Sequence, residues 1–327
     1  MKRYYYVFRK DYIDLSINEL KSLMEIYDSN GFIEKCYDEI CIAKHRDDAV
    51  YRIMNRASFI KRSGRVISID NISSPNLDYI DEIHEYGIKW IKIHKKTSRG
   101  IDQINNYSEK LVEKSHLPVD YRRGSYLELF FINDIVLIGI PIANRRKYED
   151  KRIYTRSIAL PIDLSRLLVN LTRVKEGEVL LDPFMGTGTI LIEANLMGIR
   201  TIGVDIDYSL IEIARSNLNN YCLNNYMIIH GDSQIIKYNE VDGIATNPPY
   251  GRGSGLKLEN IKQLYESFIN NALESVRKNR YIVFVTSSNL EKLIDEVISK
   301  YGLKVIGKHY IYVHSSLTRV VYEVRNI

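Results

Sequence analysis

The pattern of apolar and polar positions changes rhythm along the chain. Residues 3–12, RYYYVFRKDY, open as a strand. In residues 16–31, SINELKSLMEIYDSNG, the side chains Ile17, Leu20, Leu23, Met24 and Tyr27 recur at helical spacing and predict a core-facing stripe. Ser16 with Glu19 reads as a capping box at its start, and Gly31 as a C-cap past its end. A strand near EICIAKH, a helix over DDAVYRIMNRASFIKRSG and a strand at RVISID complete a small α+β unit, residues 1–72. The cluster NISSPN breaks the pattern and marks a boundary. A second unit, residues 73–145, runs helix (LDYIDEIHEYG), strand (KWIKIHKK), helix (IDQINNYSEKLVEKS) and two strands (SYLELFFI, DIVLIGIPI).

After a linker at residues 146–160, strands and helices alternate regularly through residues 161–327. The helix DLSRLLVNLTRV leads in, and strands EVLLD, RTIGVDI, MIIHGD, DGIATN and YIVFVTSS follow with helices between them. Alternation with apolar strands predicts a mostly parallel sheet covered on both faces. The last two strands, KVIGKHYIYV and TRVVYEV, are joined by a short connection and should pair antiparallel at one edge. The fold class is therefore α/β, with an α+β N-terminal half.

Composition adds less. At 45% hydrophobic and 27% charged, the 327 residues fit a globular chain of several domains. No apolar run approaches the roughly 20 residues that span a bilayer, and no signal segment opens the chain. These features predict a cytoplasmic protein without membrane association. Cys36, Cys41 and Cys222 suggest no disulfide framework, and the scattered histidines suggest no metal site. The net charge of +5 lies wholly in residues 1–160. Lys89, Lys92, Lys95, Lys96, Arg99, Arg122, Arg123, Arg145, Arg146 and Lys147 cluster there, interleaved with Trp90 and Tyr121. Such a cluster is either a solvated face or a phosphate-binding surface.

Candidate chemistry concentrates at four strand ends. The segment VLLDPFMGTGTILIEA carries a glycine turn, Gly186 and Gly188, preceded by Asp182. Leu191 stands where a dinucleotide fingerprint wants a third small residue, and no G-x-x-x-x-G-K is present. An acid at this turn repels a pyrophosphate and attracts a sulfonium or ammonium, which points to S-adenosylmethionine. Asp205, ending the next strand, is placed to accept from ribose hydroxyls. Asp232 can accept from an adenine amine, and Ile206 can pack on the adenine face.

The fourth strand ends in Asn247-Pro248-Pro249-Tyr250. An exocyclic amine on a base has a delocalised lone pair and two N–H donors. The Asn247 side-chain oxygen and the Pro248 carbonyl can accept one hydrogen each, on a turn that proline stiffens in advance. Tyr250 can stack on a flipped-out base.

The order DPFMGTG, GVDID, GD, NPPYGRG resembles the Rossmann-like class I methyltransferase domain of THUMP-containing RNA methyltransferases. It is most similar to the archaeal and eukaryotic enzymes that methylate the N2 amine of guanine 10 in tRNA. LPIDLSRLLVNLTRVKEGEVLLDPF resembles that family's lead-in, and HSSLTRVVYEV its last hairpin. INELKSLMEIY and VYRIMNRASFIKRSG resemble its ferredoxin-like unit, and the middle unit matches a THUMP domain in length, order and charge.

The resemblance implies that Asp182, Phe184, Gly186, Thr187, Gly188, Asp205, Ile206 and Asp232 contact S-adenosylmethionine. It also implies that Asn247, Pro248, Pro249 and Tyr250 hold the guanine, and that tRNA is the partner. Arg252, just past the motif, is placed to meet a substrate phosphate. Eukaryotic relatives use a small activating protein, which no feature here demands. One departure stands out: position-ten enzymes usually carry Asp where this chain has Asn247. The alternatives are N2-methylation of another tRNA guanine such as guanine 6, adenine-N6 methylation of DNA or RNA, protein glutamine-N5 methylation, and an inactive RNA-binding module.

Overall fold

The structure, a computed structural model, describes residues 1–95, 100–120, 124–146, 149–155, 159–250 and 258–327. Two compact units emerge. One comprises Met1–Ile13, Tyr27–Asn55 and Ile60–Arg145; the other comprises Asp14–Ile26, Arg56–Phe59 and Arg146–Ile327.

The first unit is built on one seven-stranded sheet. Its strands are β1 (Lys2–Phe8), β2 (Phe32–Tyr37), β3 (Ile40–His45), β4 (Ile60–Asn71), β5 (Trp90–Lys95), β6 (Tyr126–Ile132) and β7 (Ile135–Asn144), in the order β2-β3-β1-β4-β7-β6-β5. The antiparallel β4–β7 pair joins the strands of residues 1–72 to those of residues 73–145. Helices α3 (Ile80–Glu85) and α4 (Ile101–Ser115) bury Ile83, Ile104, Tyr107 and Leu111 against Leu127, Leu129, Phe131, Val136 and Ile138. Tyr5, Ile42, Phe130 and Leu137 form a second cluster. Gly64 and Gly139 make room for the Tyr5 ring, because a Cβ at either would overlap it. The Tyr5 hydroxyl donates to Glu128 at 2.5 Å, and His94 Nε2 and Arg62 reach the same buried carboxylate at 3.0 and 3.4 Å.

Three local expectations fail here. α2 (Asp47–Arg56) stops eight residues short of Gly64, because from Ile60 the chain is strand β4, paired antiparallel with β1 and β7. Cys36 and Cys41 are cross-strand neighbours in the β2–β3 hairpin and are joined by a disulfide. The capping box does not form. A 3₁₀ turn, Lys10–Tyr12, runs into α1 (Ile13–Tyr27), so Ser16 and Glu19 lie inside the helix. Glu19 instead accepts from the backbone N–H of Ser58 and Phe59, both at 2.7 Å, and from Asn170 Nδ2 at 2.8 Å. Residues 14–26 thereby belong with the second unit.

The second unit carries a mixed α/β sheet of β8 (Val179–Asp182), β9 (Arg200–Asp205), β10 (Tyr226–His230), β11 (Val241–Thr246), β12 (Val276–Ser287), β13 (Lys304–His314) and β14 (Leu317–Arg325). Its order is β10-β9-β8-β11-β12-β14-β13. The first four pairings are parallel, and β14 pairs antiparallel with both β12 and β13, as the pattern predicts. Helices α5 (Ile162–Leu171), α6 (Thr189–Leu196), α7 (Tyr208–Asn220), α8 (Leu258–Ser275) and α9 (Glu291–Lys300) accompany it. β12 begins five residues before Tyr281, the start that the apolar pattern predicts. Ile244, Phe268, Ile282, Phe284, Ile294 and Tyr322 lie in its largest buried cluster. Because β8 and β11 are neighbours whose chains leave in opposite directions, their carboxyl ends form a topological switch point, where such sheets bind ligands.

Candidate active site

The switch point holds the chemistry-bearing residues. β8 delivers Asp182 and β11 delivers Thr246, whose hydroxyl donates to Asp182 Oδ1 at 2.6 Å. The Phe184 N–H donates to the same oxygen at 3.2 Å. Asp182 is only 1% exposed. Burial pushes its carboxyl up to about 7, helped by the nearby charge of Asp205 and opposed by the two donors.

Asp205 ends β9 and receives the N–H of Gly186 at 2.9 Å and of Asp207 at 3.0 Å. It too is pushed up by burial against those donors. Gly186 takes φ +52°, and a Cβ there would meet nothing within 4 Å, so this side of the turn is open. Gly188 takes φ +81° and sits against α7, with its missing Cβ 3.1 Å from Ala214. Thus the first glycine leaves room for a ligand and the second allows helix packing. Thr187 is buried, Phe184 packs edge-on to Phe268, and Ile206 is 67% exposed at the end of β9. Asp232, two residues past β10, accepts from the Gln234 N–H at 2.9 Å.

These residues fit S-adenosylmethionine. Asp182 and Asp205 flank an open turn, and Asp232 follows the neighbouring strand β10, a set suited to a cationic ligand and to hydroxyl and amine donors. The exposed Ile206 offers an apolar face beside them.

The turn after β11 supplies the other half. Asn247 Oδ1 is buried and has no hydrogen-bond partner among the described residues. A buried acceptor left unpaired costs about 1–3 kcal/mol, so its persistence marks a place that a donor fills. Pro248 is buried beside it, Pro249 is half-buried, and Tyr250 packs partly against the core.

Sequence reasoning missed four contributors. Arg319, on β14, donates from Nε to the Tyr250 hydroxyl at 3.1 Å. Thr246 is the link to Asp182. The Tyr238 hydroxyl is buried without a partner among the described residues, and burial and the charges of Asp232 and Asp182 raise its pKa. Asn217 is fully buried; it donates to the carbonyls of Thr187 (3.0 Å) and Tyr154 (2.9 Å), and accepts from the N–H of Ile153 (2.9 Å) and Tyr154 (3.1 Å). Residues expected to form a free linker are thereby bonded to the glycine turn. The NPPY signal gave no hint of Arg319, because 69 residues separate the pair.

Of the basic candidates, Lys89 and Arg146 are exposed, and Lys92 and Arg145 are half-buried. The Lys92 ammonium lies 5.2 Å from the Tyr126 ring centre. Lys95 lies on β5. Lys96, Arg99, Arg122, Arg123, Lys147 and Arg252 fall outside the described residues.

Strand order, glycine turn and strand-end acids together define a Rossmann-like methyltransferase fold. The chain belongs to the RMKL-like methyltransferase-domain family, whose sequence model matches residues 150–319. A second model, described as a DNA methylase, matches residues 9–216 and ends before Asn247. Three archaeal relatives are named tRNA (guanine(10)-N2)-dimethyltransferase. That of Pyrococcus abyssi is 38% identical over 72% of this chain and 76% of its own. That of Methanocaldococcus jannaschii is 27% identical over 98% and 99%. That of Methanothermobacter thermautotrophicus is 34% identical over 64% of each, so the match spans a little under two thirds of that relative. Among solved structures, TrmN from Thermus thermophilus matches the fold over 99% of this chain and 100% of its own, at TM-score 0.56 and 16% identity.

Proposed function

We propose that this protein is a tRNA methyltransferase that moves a methyl group from S-adenosylmethionine to the N2 amine of guanine 10, once or twice. Asn247 Oδ1, buried at the switch point and without a hydrogen-bond partner among the described residues, carries the reading. Guanine N2 brings two N–H donors, one for Asn247 Oδ1 and one for the Pro248 carbonyl. With both hydrogens held to one side, the nitrogen turns pyramidal and its lone pair faces away from the turn. The cofactor supplies an activated methyl group on a sulfonium. Asp205 and Asp232 hold its ribose and adenine, and Asp182 complements its positive charge. The methylated amine is a strongly acidic cation and gives its proton to water, so Asn247, which cannot take a proton, suffices. Tyr250 supplies the stacking face for the base.

Residues 1–72 act as a ferredoxin-like unit and 73–145 as a THUMP-like unit that grips tRNA through phosphates and shape. The support is the net positive charge, which lies wholly in residues 1–160. With tRNA as substrate, the enzyme works in the cytoplasm. Asn247, standing where position-ten enzymes usually carry Asp, supports guanine 6 as the second reading.

The test is methyl transfer from labelled S-adenosylmethionine to an unmodified tRNA transcript, followed by nucleoside analysis and mapping. N2-methylguanosine or its dimethyl form at position 10 is expected. The same product at position 6 selects the second reading, and N6-methyladenosine overturns both.

A further inference from the structure

Arg319 belongs to a different part of the chain from every motif residue, yet it reaches the site from a rigid base. Its backbone is paired on both sides, with Ser287 of β12 and Ile311 of β13. That register places it at the sheet edge where β12 ends. From there Nε donates to the Tyr250 hydroxyl at 3.1 Å. Among the described residues this is the one hydrogen bond the Tyr250 side chain makes. The ring also packs against the largest core cluster of the second unit. Apolar packing of the ring and a guanidinium on its hydroxyl together restrain the tyrosine side chain.

A ring that stacks on an extruded base needs that fixity. Stacking is worth about 1–3 kcal/mol per base, and a ring free to rotate gives part of it back as lost entropy. A planar guanidinium on a backbone paired from both sides suits the task better than a flexible ammonium. We propose that Arg319 is a positioning residue for methyl transfer, acting through the Tyr250 hydroxyl to hold the ring in the plane that receives the target base. This rests on the reading of the Asn247–Tyr250 turn as the base-holding site.

The experiment is a double-mutant cycle on the full chain with a tRNA transcript, using Arg319→Ala, Tyr250→Phe and the pair, with wild type and Asn247→Ala alongside. Each single change should lower kcat about tenfold, the equivalent of one modest stacking contact. KM for tRNA and affinity for S-adenosylmethionine should stay within about twofold, and the double variant should be no slower than the slower single one. Thermal melting checks that the fold persists; Tyr250→Phe keeps the ring and its packing, so the idea is testable even if Arg319→Ala unfolds. Full kcat in Tyr250→Phe, losses that multiply in the double variant, or a change confined to KM for tRNA would each overturn the role. If wild type methylates guanine N2 and Asn247→Ala does not, those outcomes sink this inference alone. A wild type that transfers no methyl group sinks the parent reading and this inference with it.

Discussion

Glu128 of the first sheet and Asp182 of the second are both fully buried acids, and their surroundings treat them in opposite ways. Burial pushes the Glu128 carboxyl up, but His94, Arg62 and Tyr5 outweigh it and hold the group below the ordinary carboxylate value. Among the described residues Asp182 has two neutral donors and no cation beside it, so burial wins and carries it to about 7. One acid is a finished structural joint. The other carries its burial cost without an ion pair among the described residues. Asn247 belongs with Asp182 in this respect, because its side-chain oxygen is also buried and has no hydrogen-bond partner among the described residues. Function shows here as polar groups whose cost the fold does not offset by itself.

The largest break between the two regions should come from truncating their polar groups. Asn247→Ala removes a buried acceptor that has no partner among the described residues, so denaturant unfolding should show no loss of stability and a gain of up to about 1 kcal/mol, part of the relieved desolvation cost being offset by lost packing. Turnover should fall on the order of 100-fold or more, as when one preorganised contact to a reacting group is lost. Glu128→Ala should do the reverse. It strands Arg62, His94 and Tyr5, costs on the order of 3 kcal/mol, and leaves turnover of the folded enzyme near normal. Loss of stability in Asn247→Ala would show that the oxygen already has a structural partner.

The second comparison is pH. The folded pKa of Glu128 is depressed, so its contribution is present above about 4.5 and lost as pH falls through the folded value. The folded pKa of Asp182 is raised from 3.8 to about 7. Its contribution is therefore full below pH 3.8 and lost as pH rises through about 7. In thermal scans without cofactor, Asp182→Asn should gain stability relative to wild type as pH goes from 5 to 8. Glu128→Gln should lose relative stability as pH rises from 3 to 6. For Asp182 the difference should be on the order of 2 kcal/mol, since each tenfold change in proton affinity is worth about 1.4 kcal/mol. For the same reason, affinity for S-adenosylmethionine should rise as pH passes through 7 and the ionised carboxyl meets its counter-charge. A flat affinity profile from pH 6 to 8 would remove Asp182 from cofactor binding.

What could be read from sequence was local. Asp182-Pro183-Phe184 with its glycines, Asp205, Asp232 and Asn247–Tyr250 are contiguous motifs at strand ends, and strand alternation alone brings strand ends to one edge. The antiparallel closing hairpin followed from a short connection. The failures involve partners far away in sequence. Ser16 and Glu19 have capping-box spacing, but the residues that settle their roles are Ser58, Phe59 and Asn170. Helical periodicity continued past Arg56 in the pattern, and pairing of β4 with β1 and β7 decided for strand. Thr246, Asn217 and Arg319 look like ordinary strand and helix residues until the fold supplies Asp182, Thr187 and Tyr250.

The smallest expected effect belongs to the surface of the first unit, and it tests the division of labour most directly. Lys89 is exposed, whereas Lys92 rests over the Tyr126 ring. If the first unit contributes phosphate contacts only, Lys89→Ala should weaken tRNA binding about threefold and lower the slope of log affinity against log salt by about 1. Turnover at saturating tRNA should not move. Lys92→Ala should cost more than Lys89→Ala, because the ring already orders the ammonium and less entropy is lost on binding. The reverse order, or a fall in turnover with affinity intact, would mean that the first unit helps set the chemistry and that the two sheets do not divide the work in this way.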